Sequence, residues 1–415
     1  MRKCYCIVWW IRYREDGWGR AAFNPSMMVS LLLYAYCVGE RSSRKIEYYC
    51  QRDVGFRIIT ANQKPDHSTI SRFRKEYEEE LSGLYVQVLR MCAEAGMVKV
   101  GKIALDGTKM EANASLASNR TERYIEEEVK RIFQEAAEID EEEDRRYGKG
   151  KRGDELPEEM RNRQRRLKRL RECKERLERQ GQESVREQQE KVEKIEREEF
   201  EEGKKKRGRK PKMPEEVMSK ESKANVTDPE SRIMKARRGY VQGYNAQAVV
   251  TQEQIIVAAE LTQEENDVNQ LHVMFKKAKE HVSEVGIKDT FRAGLVDAGY
   301  FSEGNMKKDF PDKLELFCAT KKDWKQRKAM REGKSPRGRI PVGLSVREQM
   351  ERKLLTKRGK QLYRKRGQMI EAVFGQIKGA RGIDRFVRRG LNACASEWKL
   401  ICATHNLWKG LLDLS

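Results

Sequence analysis

Two short apolar segments, KIALD and AGLVD, each run into an aspartate, and they constrain the fold more than any other feature of this chain. Their length and apolar character predict buried strands that end at Asp106 and Asp297. Ligand sites of α/β folds lie at the carboxyl ends of such strands, and a carboxylate buried there costs free energy unless a partner compensates its charge. Each aspartate is equally compatible with a turn that it starts by bonding its own backbone.

The later strand and helix patterns place these two strands in a mixed α/β sheet flanked by helices. YVQGYNAQAVVT, QIIVAAELT and KLELFCATKK are strand patterns, NDVNQLHVMFKKAKEHVSEVG is an amphipathic helix that ends at Gly286, and ASEWKLICATHNLWKGLL predicts a buried helix. Strands come early and helices late, which is typical of a layered α/β fold. Asn245 and Gln247 share one face of their strand, where they either orient a ligand or are ordinary polar residues.

The first hundred residues carry helical patterns. NPSMMVSLLLYAYCVG begins with Asn24 as a plausible N-cap, and PDHSTISRFRKEYEEEL predicts a later helix. Short helices joined by tight turns are typical of helix-turn-helix DNA readers. Residues 1–98 are therefore predicted to be an N-terminal helical DNA-binding domain, with Arg72 and Arg74 as DNA contacts. A plain helical bundle with a solvated basic face fits equally well.

Between residues 121 and 225 the chain is dense in Glu, Lys and Arg. A sparse heptad-like stripe there predicts long solvated helices, or a coiled-coil hairpin, inserted into another domain. The stripe consists of Met160, Leu167, Leu170 and Leu177. The segment closes with the basic tract GKKKRGRKPKMP, whose Arg-Gly-Arg core is similar to arms that enter the minor groove of DNA. A solvated linker explains the same composition.

The charge of the chain is unevenly placed. The formal net charge is +21, and residues 318–415 hold 25 Lys and Arg against 8 Asp and Glu. A field of this sign attracts a polyanion, with nucleic acid as the first candidate. The nine cysteines are scattered without a C-x-x-C pair, which predicts reduced intracellular thiols and no structural zinc. We expect no membrane span, which needs ~18 apolar residues, and no signal peptide.

The segment RGQMIEAVFGQIKG, residues 366–379, holds one acid in basic surroundings. Its apolar positions recur at helical spacing and define one face of an amphipathic helix, namely Ile370, Val373, Phe374 and Ile377. Glu371 lies beside that face. Together with Asp106 and Asp297 it offers three hard oxygen ligands, which suit Mg²⁺ or Mn²⁺. Two such ions ~4 Å apart stabilise both oxygens of a phosphoryl displacement, and nearby Lys and Arg then fit as phosphate contacts.

Several segments occur in a characteristic order along the chain: GRAAFNPSMMVSLLLYAYCVGERSSRKIE, PDHSTISRFRK, ALDGTKMEANAS, DPESRIMK, GYNAQ, VDAGYFSEGN, YRKRGQMIEAVFGQIKGARGIDRF and EWKLICATHNLWK. Together they resemble the DDE transposases of bacterial insertion sequences, whose catalytic core is similar to ribonuclease H. The resemblance extends from about Gly19 to near the C-terminus. It implies a ribonuclease H-like catalytic domain over residues 99–120 and 226–415, with residues 121–225 as a charged helical insertion.

The resemblance also assigns roles to individual residues. It implies a catalytic triad that binds Mg²⁺ or Mn²⁺, as two ions, through Asp106, Asp297 and Glu371. Contacts to DNA near the cut are implied for Tyr363, Arg366 and Lys378, and Lys109 is predicted as a further DNA contact. Four residues separate Arg366 from Glu371, where the wider family pattern has three.

The predicted function is that of a DNA transposase in the bacterial cytoplasm, at the nucleoid. Such an enzyme binds double-stranded DNA at the inverted repeats of its element, cleaves phosphodiester bonds and joins the 3′-hydroxyl ends to target DNA. Transposases act as paired subunits on two ends, so we expect at least a homodimer on DNA. Two alternatives are a catalytically silent relic that acts as a repressor or architectural protein, and a nuclease without strand transfer.

Overall fold

The computed structural model describes residues 22–132, 134, 158–202, 223–236, 239–339, 341 and 343–413. The chain divides into two compact units. The first holds the described residues up to Ala112 with those of Met234–Arg237 and Gly243–Ser415, and the second holds those of Asn113–Ile233 and Arg238–Gln242. The segment before residue 22 and the basic tract GKKKRGRKPKMP lie outside the described residues.

The described strands are β1 (Lys102–Glu111), β2 (Asn119–Thr121), β3 (Lys223–Asn225), β4 (Arg232–Ala236), β5 (Gly239–Thr251), β6 (Ile256–Thr262), β7 (Ala293–Val296) and β8 (Glu315–Cys318). Strands β2 and β3 pair with each other, and the others form a mixed sheet in the order β4-β5-β1-β7-β8, with β6 also paired to β5. β5 is antiparallel to β1 and β6, whereas β1, β7 and β8 are parallel. The predicted mixed sheet with flanking helices is confirmed.

Strand β1 is longer than its sequence predicts. The Asp106-Gly107 pair reads as a turn, yet the strand continues to Glu111 and pairs with β5 along that whole length. Gly107 fits this crowded ladder because a Cβ on it would meet the side-chain nitrogen of Gln247 at 2.3 Å. The prediction that Asp106 ends a strand is therefore wrong, and only Asp297 follows a strand end directly.

The described helices are α1 (Pro25–Cys37), α2 (Ser43–Arg52), α3 (Val54–Ile59), α4 (His67–Glu76), α5 (Glu78–Glu94), α6 (Glu158–Glu202), α7 (Gln270–Glu284), α8 (Glu303–Lys307), α9 (Asp323–Glu332), α10 (Val346–Leu355), α11 (Lys357–Arg366), α12 (Ala372–Gly375) and α13 (Leu391–Asp413). π-helical turns at Gly367–Glu371 and Gln376–Ala380 flank α12. Within the described part of the chain, no helix has the length and apolar character that crossing a membrane requires.

The N-terminal helices begin where their capping residues predict. Asn24 accepts the Ser26 N–H at 2.8 Å, and Asp66 accepts the Thr69 N–H at 2.8 Å at the start of α4, so each satisfies a free donor of the first turn. Helix α3, which the sequence analysis does not predict, is capped in the same way by Asp53.

These N-terminal helices belong to the same compact unit as the sheet, whereas the sequence predicts a separate domain over residues 1–98. Helix α5 packs along α13, and its Tyr85 hydroxyl donates to the carbonyl of Ile256 at 2.9 Å. Helix α13 is itself fixed to the sheet, because Trp398 Nε1 donates to the Gln247 carbonyl at 3.1 Å. The helices over 25–94 therefore share one core with β5 and β6.

The second unit has its own small core. One face of the long helix α6 buries Leu170, Cys173 and Leu177, and these pack with Ile125, Ile132 and Ala224. The long solvated helix predicted for the insertion is confirmed over Glu158–Glu202, and Leu170 and Leu177 of the predicted stripe are buried. The chain between the helical residues 122–132 and α6, where a hairpin turn would lie, is outside the described residues except for residue 134.

Candidate active site

The two aspartates predicted from the sequence follow neighbouring positions of the sheet, Asp106 within β1 and Asp297 directly after β7. The paired residues of β1 and β7 end one position before Asp106 and Asp297, so both carboxylates start from neighbouring parallel strands. Asp106 Oδ1 accepts the Gly107 N–H at 2.9 Å, and Asp297 Oδ1 accepts the Gly299 N–H at 2.8 Å. Both aspartates make the local bond expected of a turn residue, and they also share one site.

Arg366 connects this aspartate pair to Glu371. Its Nη2 lies 2.6 Å from Asp106 Oδ2, and its Nη1 lies 3.5 Å from Glu371 Oε1. Only 6% of the arginine side chain is exposed, against 44% of the Glu371 side chain. The structure therefore brings the first and third predicted catalytic acids to a single buried cation.

A π-helical turn accounts for the unusual spacing of Arg366 and Glu371. Residues Gly367–Glu371 hydrogen-bond in the π pattern, in which one turn holds one more residue than an α-turn. The fourth intervening residue is therefore absorbed, and Arg366 and Glu371 stay on the same side of the helix. The apolar face is formed as predicted, with Ile370, Val373 and Ile377 buried.

Glu371 also borders a basic cavity of about 350 Å³. Arg327 of α9 donates to Glu371 Oε1 at 2.8 Å from a side chain that is 57% exposed. The cavity is lined by Arg327, Met330, Arg331, Lys360, Tyr363, Arg364, Arg366, Gly367 and Glu371. Because most of its charged lining residues are cations, the cavity is suited to an anionic ligand.

The surroundings of Asp106 disfavour its charged form. Burial raises the pKa of this carboxyl to about 7, although the Arg366 guanidinium lowers it, and the nearby charges of Asp297 and Asp267 add to the rise. When burial and neighbouring acids raise the pKa of a carboxyl, an added cation stabilises its charged form. Perturbed groups of this kind cluster at functional sites.

A fourth acid, Asp267, lies beside the predicted pair and is missed by the sequence analysis. Its Oδ1 accepts the amide N–H groups of Asn245 and Gln247, each at 2.7 Å, and lies 3.8 Å from Lys109 Nζ. Asn245 and Gln247 share a face of β5, as predicted, and this face meets the loop after β6. The only local signal for Asp267 is an acid at the second position of the predicted helix NDVNQLHVMFKKAKEHVSEVG, where an acid is ordinary for a helix start.

The predicted DNA-contact residues fall into different environments. Lys109 Nζ donates to the Glu265 carbonyl and Lys378 Nζ to the Lys109 carbonyl, both at 2.6 Å, so both lysines are held next to β1. Tyr363 lines the basic cavity and is 6% exposed. Arg72 is exposed. Arg74 is buried, and its guanidinium donates to the Arg41 carbonyl at 2.8 Å, where it connects helices instead of facing solvent.

Two family models match the chain. Residues 8–76 match the model described as "Transposase domain (DUF772)", and residues 320–411, which include Glu371 and its helix, match the model described as "Transposase DDE domain". The chain belongs to the DDE-type transposases of insertion elements. No curated protein and no solved structure shows significant similarity to it. The first match begins at residue 8, so the family similarity starts earlier than Gly19, where the sequence analysis places it.

The family implies that this transposase acts on DNA, and DDE transposases in general use divalent metal ions. The donors of the site fit such an ion, because Asp106, Asp297, Asp267 and Glu371 supply hard oxygens. A buried amide oxygen, Asn245 Oδ1, has no hydrogen-bond partner among the described residues. Among the residues that the structure describes, however, no three His, Cys, Asp or Glu side chains converge closely enough to hold a metal ion. Arg366 lies between Asp106 and Glu371.

Proposed function

We propose that this transposase binds double-stranded DNA at the terminal inverted repeats of its element, cleaves a phosphodiester bond at each end and joins the 3′-hydroxyl to target DNA. The observation that carries the proposal is the buried cation Arg366, which lies 2.6 Å from Asp106 and 3.5 Å from Glu371, while Asp297 follows the strand next to that of Asp106. Within the sheet, the neighbouring strands β6, β5, β1, β7 and β8 are mutually parallel except for β5, which supports a ribonuclease H-like catalytic core.

The proposed ligands of Mg²⁺ or Mn²⁺ are Asp106, Asp297 and Glu371. Two such ions, when bound, activate the attacking oxygen and stabilise the leaving one. Glu371 faces Arg366 from its own helix at 3.5 Å, and the π-turn keeps it there. The raised pKa of Asp106 supports this assignment, since a divalent ion would compensate its burial.

The proposed contacts to DNA are cations and one aromatic side chain on either side of these acids. Arg366 and Tyr363 line the basic cavity next to Glu371, and Lys109 and Lys378 lie along β1. Exposed Arg72 of α4 extends the contact to the N-terminal helices. Phosphate contacts of this kind position a duplex without reading its sequence. We propose that two copies of the chain act together, one on each element end.

The test is strand cleavage of a labelled inverted-repeat duplex in Mg²⁺. Asp106→Ala, Asp297→Ala and Glu371→Ala are expected to abolish cleavage and to leave the gel shift of that duplex unchanged. Glu111→Ala is a matched control on β1, since its carboxylate pairs with exposed Arg385 at the surface. If any of the three variants cleaves at the wild-type rate, the triad is misassigned. A precut end with a supercoiled target separates transposase from nuclease, because only a transposase forms a covalent joint.

A second candidate is a catalytically silent transposase relic that binds DNA as a repressor or architectural protein. It is favoured by the ion pairs that hold Glu371 to Arg327 at 2.8 Å and to Arg366 at 3.5 Å. A protein that shifts the inverted-repeat duplex in gels but does not cleave it in Mg²⁺ or Mn²⁺ would support the relic. Cleavage at the repeat ends would exclude it.

A further inference from the structure

The second compact unit contains a cavity of its own, of about 300 Å³. It lies where three elements meet: the short strand β2, the chain that follows its partner β3, and the long helix α6. Leu170 and Val226 give the cavity an apolar part, and Ser118 and Thr227 add hydroxyl groups. The fold of the insertion therefore forms a lined site within a single unit.

The charged residues that line this cavity are arginines, namely Arg120, Arg166 and Arg169. Arg166 and Arg169 are three positions apart on α6 and therefore share one side of the helix. Arg166 is already paired with the buried Glu128 at 2.5 Å. Neither Arg120 nor Arg169 has a carboxylate partner among the residues that the structure describes. The cavity thus has two cations whose charge no described acid neutralises.

Both of these arginines have donors to offer. Arg120 Nη1 donates to the carbonyls of Ala117 and Asn119 at 2.6 and 3.0 Å. The same guanidinium lies over the Tyr124 ring, 5.2 Å from its centroid, so its position is fixed. Arg169 Nε is buried and has no hydrogen-bond partner within the described part of the chain. Since buried donors are normally satisfied, an anion in the cavity would supply the missing acceptor.

The charge of the insertion is concentrated beside this cavity. Residues 121–225 hold 31 Lys and Arg against 30 Asp and Glu, so the insertion as a whole is nearly neutral. Residues 161–171, RNRQRRLKRLR, hold seven cations and no acid. Such a run attracts an extended polyanion more strongly than a single small anion, because many charges of the ligand then act together.

We propose that this cavity binds a backbone phosphate of double-stranded DNA, so that the insertion is a second DNA-binding surface of the chain. This inference rests on the proposed function, since a protein that acts on DNA ends meets the duplex. Arg120 and Arg169 hold the phosphate oxygens through planar guanidinium groups, which match phosphate geometry. Ser118 and Thr227 donate from their hydroxyls, as such side chains commonly do to phosphates.

The test is the salt dependence of duplex binding by the full chain in EDTA, measured by the fluorescence anisotropy of a labelled duplex of arbitrary sequence. Phosphate contacts do not depend on sequence, and each one adds about 0.9 to the slope of log K against log salt concentration. The double variant Arg120→Gln with Arg169→Gln is expected to reduce this slope by about 1.8. Raising the salt from about 50 to 200 mM should then cost this variant about tenfold less affinity than it costs the wild type.

Two further double variants control for charge and for structure. Arg186→Gln with Arg197→Gln removes the same charge from the same helix, at exposed positions that are already paired with glutamates. This pair is expected to keep the wild-type slope. Arg120→Lys with Arg169→Lys keeps both charges in the cavity and is expected to recover the wild-type slope. A merely structural role of the two guanidinium groups would not allow that recovery.

The outcomes separate DNA from a free anion. A wild-type slope in the folded Arg120→Gln, Arg169→Gln protein would overturn the site, as would an equal reduction in the Arg186→Gln, Arg197→Gln control. Calorimetry with inorganic phosphate is the second arm. Phosphate binding that the cavity variant loses, together with an unchanged slope for DNA, would assign the cavity to a free phosphate and overturn DNA as its ligand.

The proposed function is tested independently, because none of these measurements involves cleavage. A chain that never cleaves its inverted repeats would lose the proposed function, while the slope still decides the phosphate site. If the double Gln variant does not fold, Arg120→Gln alone decides. It is expected to reduce the slope by about 0.9, and an unchanged slope would overturn the inference.

Discussion

Nη2 of Arg366 lies 2.6 Å from Oδ2 of Asp106, on a guanidinium whose Nη1 also reaches Glu371 Oε1 at 3.5 Å. One buried cation therefore compensates two acids of the proposed triad. A divalent ion at the proposed site would compete with this guanidinium for the same acids. The proposed metal site therefore connects the stability of the free protein to metal binding through a single arginine.

Arg366→Gln is expected to lower the free energy of unfolding by about 3 kcal/mol in EDTA at pH 8. The reason is that loss of one partner of a buried pair leaves an uncompensated buried charge. Millimolar Mg²⁺ is expected to restore part of this loss, since it provides a new cation for Asp106. Denaturant unfolding monitored by circular dichroism, in EDTA and in Mg²⁺, measures both effects.

Arg327→Gln is the control, because Arg327 pairs with the same Glu371 from a side chain that is 57% exposed. Exposed ion pairs contribute about 0–1 kcal/mol, so this variant is expected to unfold almost like the wild type. Equal loss of stability in both variants would contradict the view that burial makes Arg366 the compensating cation.

Arg74 and Arg72 are expected to respond oppositely to substitution. Arg74→Ala leaves the Arg41 carbonyl and the Tyr36 hydroxyl without their buried donor, and the loss of such a partner costs about 2 kcal/mol of unfolding free energy. Arg72→Ala is expected to keep its stability and to weaken DNA binding, with the salt dependence of binding reduced by about one ion. Thermal unfolding and gel shifts at several salt concentrations measure these effects, and weaker DNA binding by a fully stable Arg74→Ala protein would reverse the assignment.

These two arginines also mark what the sequence can and cannot predict. Both follow Ile70 on the same helix pattern. No feature of this segment indicates that the packing of α1 and α2 buries Arg74. The positions of Asp297 and Glu371, in contrast, can be predicted from local patterns. A short apolar run indicates the strand before Asp297, and the helical spacing of apolar residues indicates the helix of Glu371.

Asp267 is missed for a related reason. It lies in the acidic run QEEND, where Glu264, Glu265 and Asp267 look alike in sequence, and only the pairing of β5 with β1 and β6 brings one of them to Asn245 and Gln247. The length of β1 is missed because Asp-Gly is a strong turn signal, which nine backbone pairings with β5 override.

Gly243 tests that long pairing. It lies opposite Glu111, and a Cβ on it would stand 2.1 Å from the Met110 carbonyl oxygen, which is backbone and cannot move aside. Gly243→Ala is expected to lower the free energy of unfolding by about 2 kcal/mol, as for an overpacked core. Gly83→Ala, in α5 with nothing within 4 Å of the new Cβ, is expected to raise it by about 0.5–1 kcal/mol. Chemical denaturation compares the two, and an unchanged Gly243→Ala would mean that β1 and β5 part before Glu111.

His405 makes stability depend on pH. It is fully buried and its Nε2 donates to the Gln254 carbonyl at 3.1 Å, as expected for a packed histidine. Burial, reinforced by the Arg381 charge, lowers the pKa of His405 to about 3. Because this value is below the usual 6.5, the unfolded chain takes up a proton first. The histidine's contribution is therefore complete above pH 6.5 and is lost progressively as the pH falls from 6.5 towards 3.

Between pH 7.5 and pH 5.5 this histidine is expected to remove about 1 kcal/mol from the free energy of unfolding. His405→Gln keeps a donor for the Gln254 carbonyl and cannot be protonated, so its unfolding free energy should fall less over that interval. Urea titrations of both proteins at the two pH values give the difference. Parallel pH dependence in wild type and variant would show that another group causes the loss.

The π-helical turn predicts that one residue can be removed from the helix of Glu371 without loss of the proposed cleavage activity. Gln368 is exposed and lies inside the π-turn Gly367–Glu371. Its deletion should convert that turn to an α-turn, which leaves Arg366 facing Glu371 and the buried Ile370 and Val373 in place. Because this geometry is kept, we expect the variant to cleave the inverted-repeat duplex at a rate within about threefold of wild type. That ratio corresponds to a change of ~0.7 kcal/mol in the activation free energy. An alanine inserted after Gln368 instead rotates Arg366 away from Glu371 by about 100° and should abolish cleavage. If the deletion variant is as inactive as the insertion variant, the π-turn does more than absorb the extra residue between Arg366 and Glu371.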